Sequence, residues 1–355
     1  MDRYIVLENG KVFRGKAFGT DKEVIAEVVF TTGMTAYLET LTDPSYYGQA
    51  VIQTFPLIGN YGIIPEDAES RMNGAWAYIV REWCEKPSNF RCQGDLDSYL
   101  KKAGIPGVYG VDTRALTRMI REKGVMNGAI TSDPAGVDME ALRAYRVTGA
   151  VPAVTVRKVE TVNAEKERLR VVLMDFGMKD NILRSLVRRG CTVTVVPAET
   201  PASDIIAMRP DGIMLSNGPG DPQENIAVIE ELKKLSRSGI PIFGICLGHQ
   251  LMALAHGFNT EKLKYGHRGA NQPVKELETG RVYISSQNHG YAVVGASVRP
   301  EIAMQTFVNV NDGTNEGIRY KNEPIFSVQF HPEACGGPKD TEFLFDSFIE
   351  LMKGV

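Results

Sequence analysis

Cys246 lies between glycines 244 and 248 in the stretch PIFGICLGHQ (241–250), and His331 and Glu333 stand close together in VQFHPEA (328–334). Gly-x-Cys-x-Gly, where an apolar run meets a helical pattern, has the form of a nucleophile elbow. The glycines permit a sharp, crowded turn that lifts the sulfur out of a sheet. The positive end of the following helix favours thiolate over thiol, and the Leu247 amide can face an oxyanion. A nucleophile needs a base, and the chain has only five histidines. Pro332 biases His331 toward an extended backbone, so this histidine continues off a strand end, and Glu333 can return to hold its ring. Nucleophile, base and orienting carboxylate together point to acyl transfer through a covalent thioester. Each part alone has a plainer reading, the cysteine as a small buried turn residue and the His-Pro as a loop. The specificity lies in the combination.

Elements that would position these residues follow from the apolar periodicity. RVVLMDFG (170–177) reads as a buried strand, and KDNILRSLVRRG (179–190) as a helix with its apolar stripe at Ile182, Leu183, Leu186 and Val187. CTVTVVPAE, DGIMLSNGPGDP and PIFGI read as further strands, ENIAVIEELKKLSRSG and LGHQLMALAHG as helices. Strands alternating with helices predict an α/β fold with an open, mostly parallel sheet and helices on both faces. In such a sheet ligands bind beyond the carboxyl ends of the strands, where Cys246 falls. Past Gly257 the pattern turns strand-rich, through RVYISSQNHGYAVV and EPIFSVQF, and then closes on an amphipathic helix, DTEFLFDSFIELM.

The first half reads as a mixed α+β domain. YIVLENGKVFRG is a hairpin about an Asn-Gly turn, EVIAEVVFTTG another strand, and DLDSYLKKAG and DTRALTRMIREKG are helices. The charged stretch 153–168, AVTVRKVETVNAEKER, is read as a linker between domains 1–152 and 169–355.

Composition narrows the function classes. A formal charge of −3 leaves no basic footprint for nucleic acid. No apolar run reaches the roughly 18 residues of a membrane span, and the N-terminus lacks a signal-peptide pattern. Cysteines at 84, 92, 191, 246 and 335 form no CxxC pair and are odd in number, which fits thiols in a reducing cytoplasm. No cysteine, histidine and carboxylate share zinc spacing, so no metal site is expected.

The second half resembles the class I, triad-type glutamine amidotransferases, with GICLGHQ as nucleophile motif, FHPEA as histidine–glutamate motif and LSNGPGDP as a family loop. In the first half, LENGKVFRGKAFG, VVFTTGMTAYLETLTDPSYYGQ, PLIGNYG and GVDTRALTRMIREKG resemble the family of small, glutamine-hydrolysing subunits of carbamoyl-phosphate synthase. The resemblance covers nearly the whole chain. It implies a flavodoxin-like sheet and a Cys246–His331–Glu333 triad. It places an oxyanion hole at the amides of Leu247 and Gly220. Its glutamine contacts are Ser45, Gly218, Gly220, Leu247, Gln250, Asn288, Gly290 and Tyr291, and Ser45, in the first domain, implies a site at the domain interface. It also implies a large synthetase subunit as partner, in a heterodimer or higher oligomer. ATP, Mg²⁺ and bicarbonate would bind that subunit, and this chain would need no cofactor. The product would feed arginine or pyrimidine synthesis.

Other features are set aside. GKVFRGKA (10–17) nearly fits a phosphate-binding loop, but Ala17 lacks the hydroxyl and no helix follows. His249 reads as a structural histidine, His256 as a helix C-terminal residue, and His267 and His289 as loop residues lining the site or an interface. Gln272 stands where the family often has histidine and Cys335 where serine is usual. Cys335 reads as a turn residue or as an accessory thiol within reach of an oxidised Cys246. Two rival functions remain: a cysteine hydrolase of other γ-glutamyl amides, and a non-catalytic docking subunit.

Overall fold

The computed structural model describes residues 1–334 and 336–354 and divides the chain into two compact units, Met1–Val147 and Thr148–Val355. Cys335, and with it the accessory-thiol reading, lies outside the described residues. Among the described residues no helix is long and apolar enough to cross a membrane.

The first unit is built on β1 (Asp2–Leu7), β2 (Val12–Gly19), β3 (Val24–Thr31), α1 (Tyr37–Thr42), β4 (Gln49–Gln53), β5 (Leu57–Ile58), β6 (Ala77–Ile79), β7 (Glu82–Trp83), α2 (Leu96–Ala103), β8 (Pro106–Tyr109), α3 (Thr113–Lys123), β9 (Met126–Thr131) and α4 (Met139–Ala144). The hairpin β1–β2 forms about Gly10, which adopts φ 81°. The near-match to a phosphate loop is therefore a turn running into a strand. Seven strands close into a barrel in the order β1-β2-β8-β6-β4-β3-β9, so no edge of that sheet is left open. Asp112 caps α3 by accepting from the Ala115 amide at 2.9 Å. The helix buries Leu116 and Ile120 against Ile5, Val28, Ile52 and Val108 of the barrel.

The second unit holds α5 (Ala150–Val154), β10 (Glu160–Val162), β11 (Leu169–Asp175), α6 (Asp180–Arg188), β12 (Cys191–Pro197), α7 (Ala202–Ala207), β13 (Gly212–Leu215), α8 (Ile226–Ser236), β14 (Ile242–Ile245), α9 (Leu247–Ala255), β15 (Thr260–Glu276), β16 (Val282–Val293), β17 (Ala303–Asn309), β18 (Asn315–Tyr320), β19 (Ile325–Val328) and α10 (Phe343–Lys353). They form one sheet in the order β10-β12-β11-β13-β14-β19-β18-β17-β15-β16. Its centre, β12-β11-β13-β14-β19, is parallel throughout. Counted along the chain that centre runs 2-1-3-4-5, the flavodoxin-like order. Alternation along β11 feeds two cores. Val172 and Met174 pack with α7, α8 and α9, while Val171 and Leu173 pack with α6 and α10. Each such buried aliphatic side chain contributes roughly 1.5–3 kcal/mol.

The stretch expected as a linker is part of this unit. Val154 is buried in α5, and Glu160–Val162 pairs antiparallel with β12 at the sheet edge.

Candidate active site

Strand β14 lies between β13 and β19 with all four residues buried. At Cys246 the chain turns sharply, to φ 53° and ψ −102°. A side chain other than glycine is strained in that region, and such strain collects at functional sites. The turn is held by the Cys246 amide donating to Val328 O at 2.9 Å and the Gly248 amide donating to Ser216 O at 3.0 Å. The flanking glycines are steric requirements of the crossing. A Cβ on Gly248 would sit 2.6 Å from Leu215 O, and one on Gly244 would sit 3.0 Å from Gly248 C. Cys246 Sγ lies buried, 3.9 Å from Asn288 O. Leu247 opens α9, so its amide has no acceptor within the helix.

The loop after β13 carries the second amide of the expected oxyanion hole, at Gly220, which adopts φ 89°. A Cβ on Gly218 would collide with Phe176 O. The loop is fastened to the end of β11. Ser216 Oγ accepts from the Phe176 amide at 2.9 Å, Asn217 Oδ1 accepts from the Lys179 amide at 3.0 Å, and Asn217 Nδ2 donates to Gly177 O at 3.0 Å.

His331 follows β19 and bridges to β16 by donating its amide to Ser286 O at 2.9 Å. Its Nδ1 lies 2.6 Å from Glu333 Oε1, both side chains being sealed from solvent, and its Nε2 has no hydrogen-bond partner among the described residues. Burial works to raise the Glu333 pKa, but the charge and hydrogen bond of His331, with Lys179 beyond, outweigh it and hold the carboxyl below its usual range. Asn181 Nδ2, in the first turn of α6, donates to Glu333 O. Cys246, His331 and Glu333 are thus set at the carboxyl ends of neighbouring parallel strands, an arrangement suited to acyl transfer.

Residues 172–351 match the family model for Glutamine amidotransferase class-I, and residues 5–130 match Carbamoyl-phosphate synthase small chain, CPSase domain. The chain is 50% identical over 352 residues to the carbamoyl phosphate synthase small chain of Clostridium perfringens, covering 99% of each. It is 49% identical over 357 residues to the small chain of Listeria monocytogenes, covering 99% of this chain and 97% of that one. It is also 49% identical over 356 residues to the pyrimidine-specific small chain of Halalkalibacterium halodurans, covering 99% and 98%. The chain belongs to the carbamoyl phosphate synthase small chain family.

In this family member the remaining candidates fall into three groups. Gln250 is buried as the fourth residue of α9, and its Nε2 donates to Tyr291 O at 2.7 Å and to Gln329 Oε1 at 2.9 Å. Its side-chain nitrogen therefore ties β16 to the end of β19. Asn288, Gly290 and Tyr291 all lie on β16. Ser45 belongs to the first unit, in the short turn Pro44–Tyr46, where its amide donates to Asp43 Oδ1 at 2.9 Å.

The other histidines each have polar partners. His249 Nδ1 pairs with Ser327 Oγ at 2.8 Å, and burial pushes its pKa down to about 3. His256 caps α9 and meets Glu323 Oε2 at 2.8 Å. His267 and His289, expected in loops, instead face each other on paired strands β15 and β16. One ligand atom each from His267, His289 and Glu316 lie within 4.8 Å of one another, a set that could hold a cation. His267, however, already stands between two carboxylates, with Nε2 2.8 Å from Asp312 Oδ2 and Nδ1 3.5 Å from Glu316 Oε1. Gln272 pairs with Ser285 further along the same ladder.

Sequence reasoning passed over Asp175, Lys179, Asn181 and Gln329. Asp175 Oδ1 accepts from the Gly177 and Met178 amides at 2.9 and 2.7 Å, shaping the loop that carries Lys179. The available signal was position alone: DFGMKDN follows the carboxyl end of a central strand.

Proposed function

We propose that this chain is the glutaminase of a carbamoyl-phosphate synthase, with Cys246, His331 and Glu333 as its catalytic residues. One observation carries the assignment of roles. The left-handed Cys246 and the Glu333-held His331 leave adjacent strands of one parallel sheet, and His331 Nε2 has no hydrogen-bond partner among the described residues.

The Cys246 sulfur attacks the carboxamide carbon of glutamine while its proton passes to His331 Nε2. The carbonyl oxygen gains the negative charge, which the amides of Leu247 and Gly220 stabilise. The tetrahedral adduct collapses, the C–N bond breaks, and the nitrogen leaves as ammonia with the proton returned by His331. A γ-glutamyl thioester remains on Cys246. Water gives a proton to His331 and attacks the thioester carbon, and the sulfur departs to leave glutamate. Glu333 fixes the ring tautomer and stabilises the imidazolium in both halves.

Gly218 and Gly290 serve through their backbones, and Ser45, Asn288 and Tyr291 contact glutamine directly. Gln250 acts there too and also holds the Tyr291 carbonyl. The ammonia passes to a large chain, which joins it to bicarbonate with ATP and Mg²⁺. The two chains form a heterodimer or a higher assembly of it, in the cytoplasm.

The test is carbamoyl phosphate formation by the chain combined with its large partner. Wild type uses glutamine or ammonia. Cys246→Ser uses ammonia alone, because a hydroxyl stays protonated where a thiol ionises. Absence of glutamine hydrolysis in the wild-type complex would overturn the reading, and loss of both activities in Cys246→Ser would mean that the residue serves assembly.

A further inference from the structure

We propose that the buried pair His267 and Glu316 is a positioning device for the strand segment Asn288–Tyr291, acting through His289; the proposal rests on the glutamine site described above.

The need for such a device lies in the strand pairing. Lys262 pairs with Tyr291 and the next pair is His267 with His289, so residues 263–266 of β15 stand opposite Gly290 alone. A bulge of this kind interrupts the ladder and frees the opposing backbone from its regular restraint. The interruption, at Gly290, falls within the segment assigned to glutamine, two residues from Asn288, whose carbonyl lies 3.9 Å from Cys246 Sγ.

Side chains take the place of the missing ladder. The His289 ring lies along its own strand, with Nδ1 2.8 Å from Tyr291 O and Nε2 3.1 Å from the Gln287 side-chain amide. It therefore joins the residues on either side of the interruption. Tyr291 O also accepts from Gln250, so the carbonyl just past Gly290 is held from two directions.

The His289 ring must itself be held. His267 meets it edge to face, with centroids 4.9 Å apart and planes at 83°. His267 is fixed in turn by Asp312 on Nε2 and Glu316 on Nδ1. Glu316 is fully buried, Asn309 Nδ2 donates to its Oε1 at 3.3 Å, and the Gln287 side chain also hydrogen-bonds the carboxyl. A well-packed apolar residue would fill this space with less desolvation. The carboxyl adds direction: it fixes the angle of one imidazole and, through it, the next.

The experiment compares wild type, Glu316→Gln, His267→Asn and the double variant in complex with the large chain. KM and kcat for glutamine hydrolysis, ammonia-dependent synthesis and thermal midpoint are measured for each. Each single variant should raise KM for glutamine on the order of tenfold, the scale of a small displacement of a binding group. kcat should change by less than about twofold, and ammonia-dependent synthesis should be unchanged. The double variant should be no worse than the worse single, because the two residues act as one unit. Glu316→Asp should fall between wild type and Glu316→Gln.

Unshifted KM in both single variants, with an active wild type, overturns this proposal alone. A lowered thermal midpoint with KM unchanged reduces the pair to a stabilising contact and overturns it as well. Chelator treatment that raises the wild-type KM, reversed by Zn²⁺, would make the cluster a metal site instead. A wild-type complex without glutaminase activity sinks the reading of the site, and this proposal with it.

Discussion

Glu333 Oε1 meets His331 Nδ1 at 2.6 Å in a solvent-free pair, and the other ring nitrogen, His331 Nε2, has no partner among the described residues. On the proposed mechanism one face of the imidazole serves orientation and the other proton transfer. His331→Asn should therefore lower glutaminase kcat by roughly 10³-fold or more, the upper range for a general acid–base residue. Glu333→Gln should cost less than His331→Asn, since the imidazole base remains although the amide cannot stabilise imidazolium. Steady-state glutamate release decides it, and the reverse ranking would overturn the two roles.

Gly248 sits where α9 crosses β13, and an added Cβ would stand 2.6 Å from Leu215 O and 2.7 Å from Leu215 Cβ. Both are atoms of a central strand with nowhere to move. Gly248→Ala should destabilise the second unit by about 3 kcal/mol, in the upper range for overpacking. Gly244→Ala, with its nearest contact at 3.0 Å, should cost less. Urea unfolding of the two variants gives the comparison.

His249 supplies a pH dependence. Its folded pKa is about 3 against an ordinary 6.5, so the unfolded chain takes up a proton below pH 6.5 that the folded chain refuses. The stabilisation is complete above pH 6.5 and is lost as pH falls toward 3, at about 1.4 kcal/mol per pH unit. His249→Gln removes this titration and should flatten the fall in urea midpoint between pH 6 and about 4.5 by one proton's worth. Parallel curves for the two proteins would show that the ring is protonated in the fold.

Ala36 opens α1 at φ 66°, a left-handed position without glycine. Ala36→Gly should stabilise the first unit by up to about 1 kcal/mol, raising its thermal midpoint by roughly 2–4 °C. An unchanged or lower midpoint in calorimetry would mean that the unfolded-state entropy of the added glycine cancels the relief.

The parts of the site that were legible in the sequence are those whose geometry is enforced locally. Gly244 and Gly248 announce the elbow because no other residue fits the crossing, and Pro332 announces an extended His331. The succession of parallel strands and helices followed from alternating periodicities, whereas the flavodoxin-like order was implied only by the family resemblance. His267 and His289 were misplaced because β15 is rich in charge and glycine from Glu261 to Gly269 and carries no clean alternation. Its burial comes from a bulge and a polar cluster contributed by β18, a residue range some fifty positions away. The stretch 153–168 read as a linker for a related reason: an edge strand such as β10 tolerates charge because one side faces water. Closure of the first unit's barrel depends on β9 pairing with both β1 and β3, and no local pattern encodes a non-local pairing.

Strand β19 comes last of the ten in sequence yet lies at the sheet's middle, parallel to β14 on one side and antiparallel to β18 on the other. Until it is placed, the parallel half and the antiparallel half have no shared hydrogen bonds through this position. Pairings between segments so far apart in sequence form late, after the entropy of closing the intervening chain has been met. The strand that joins the halves is also the one that delivers His331. On the roles proposed for Cys246 and His331, a ribosome-bound or half-folded chain carries the thiol without its base, and glutamine hydrolysis is expected only once the sheet is complete.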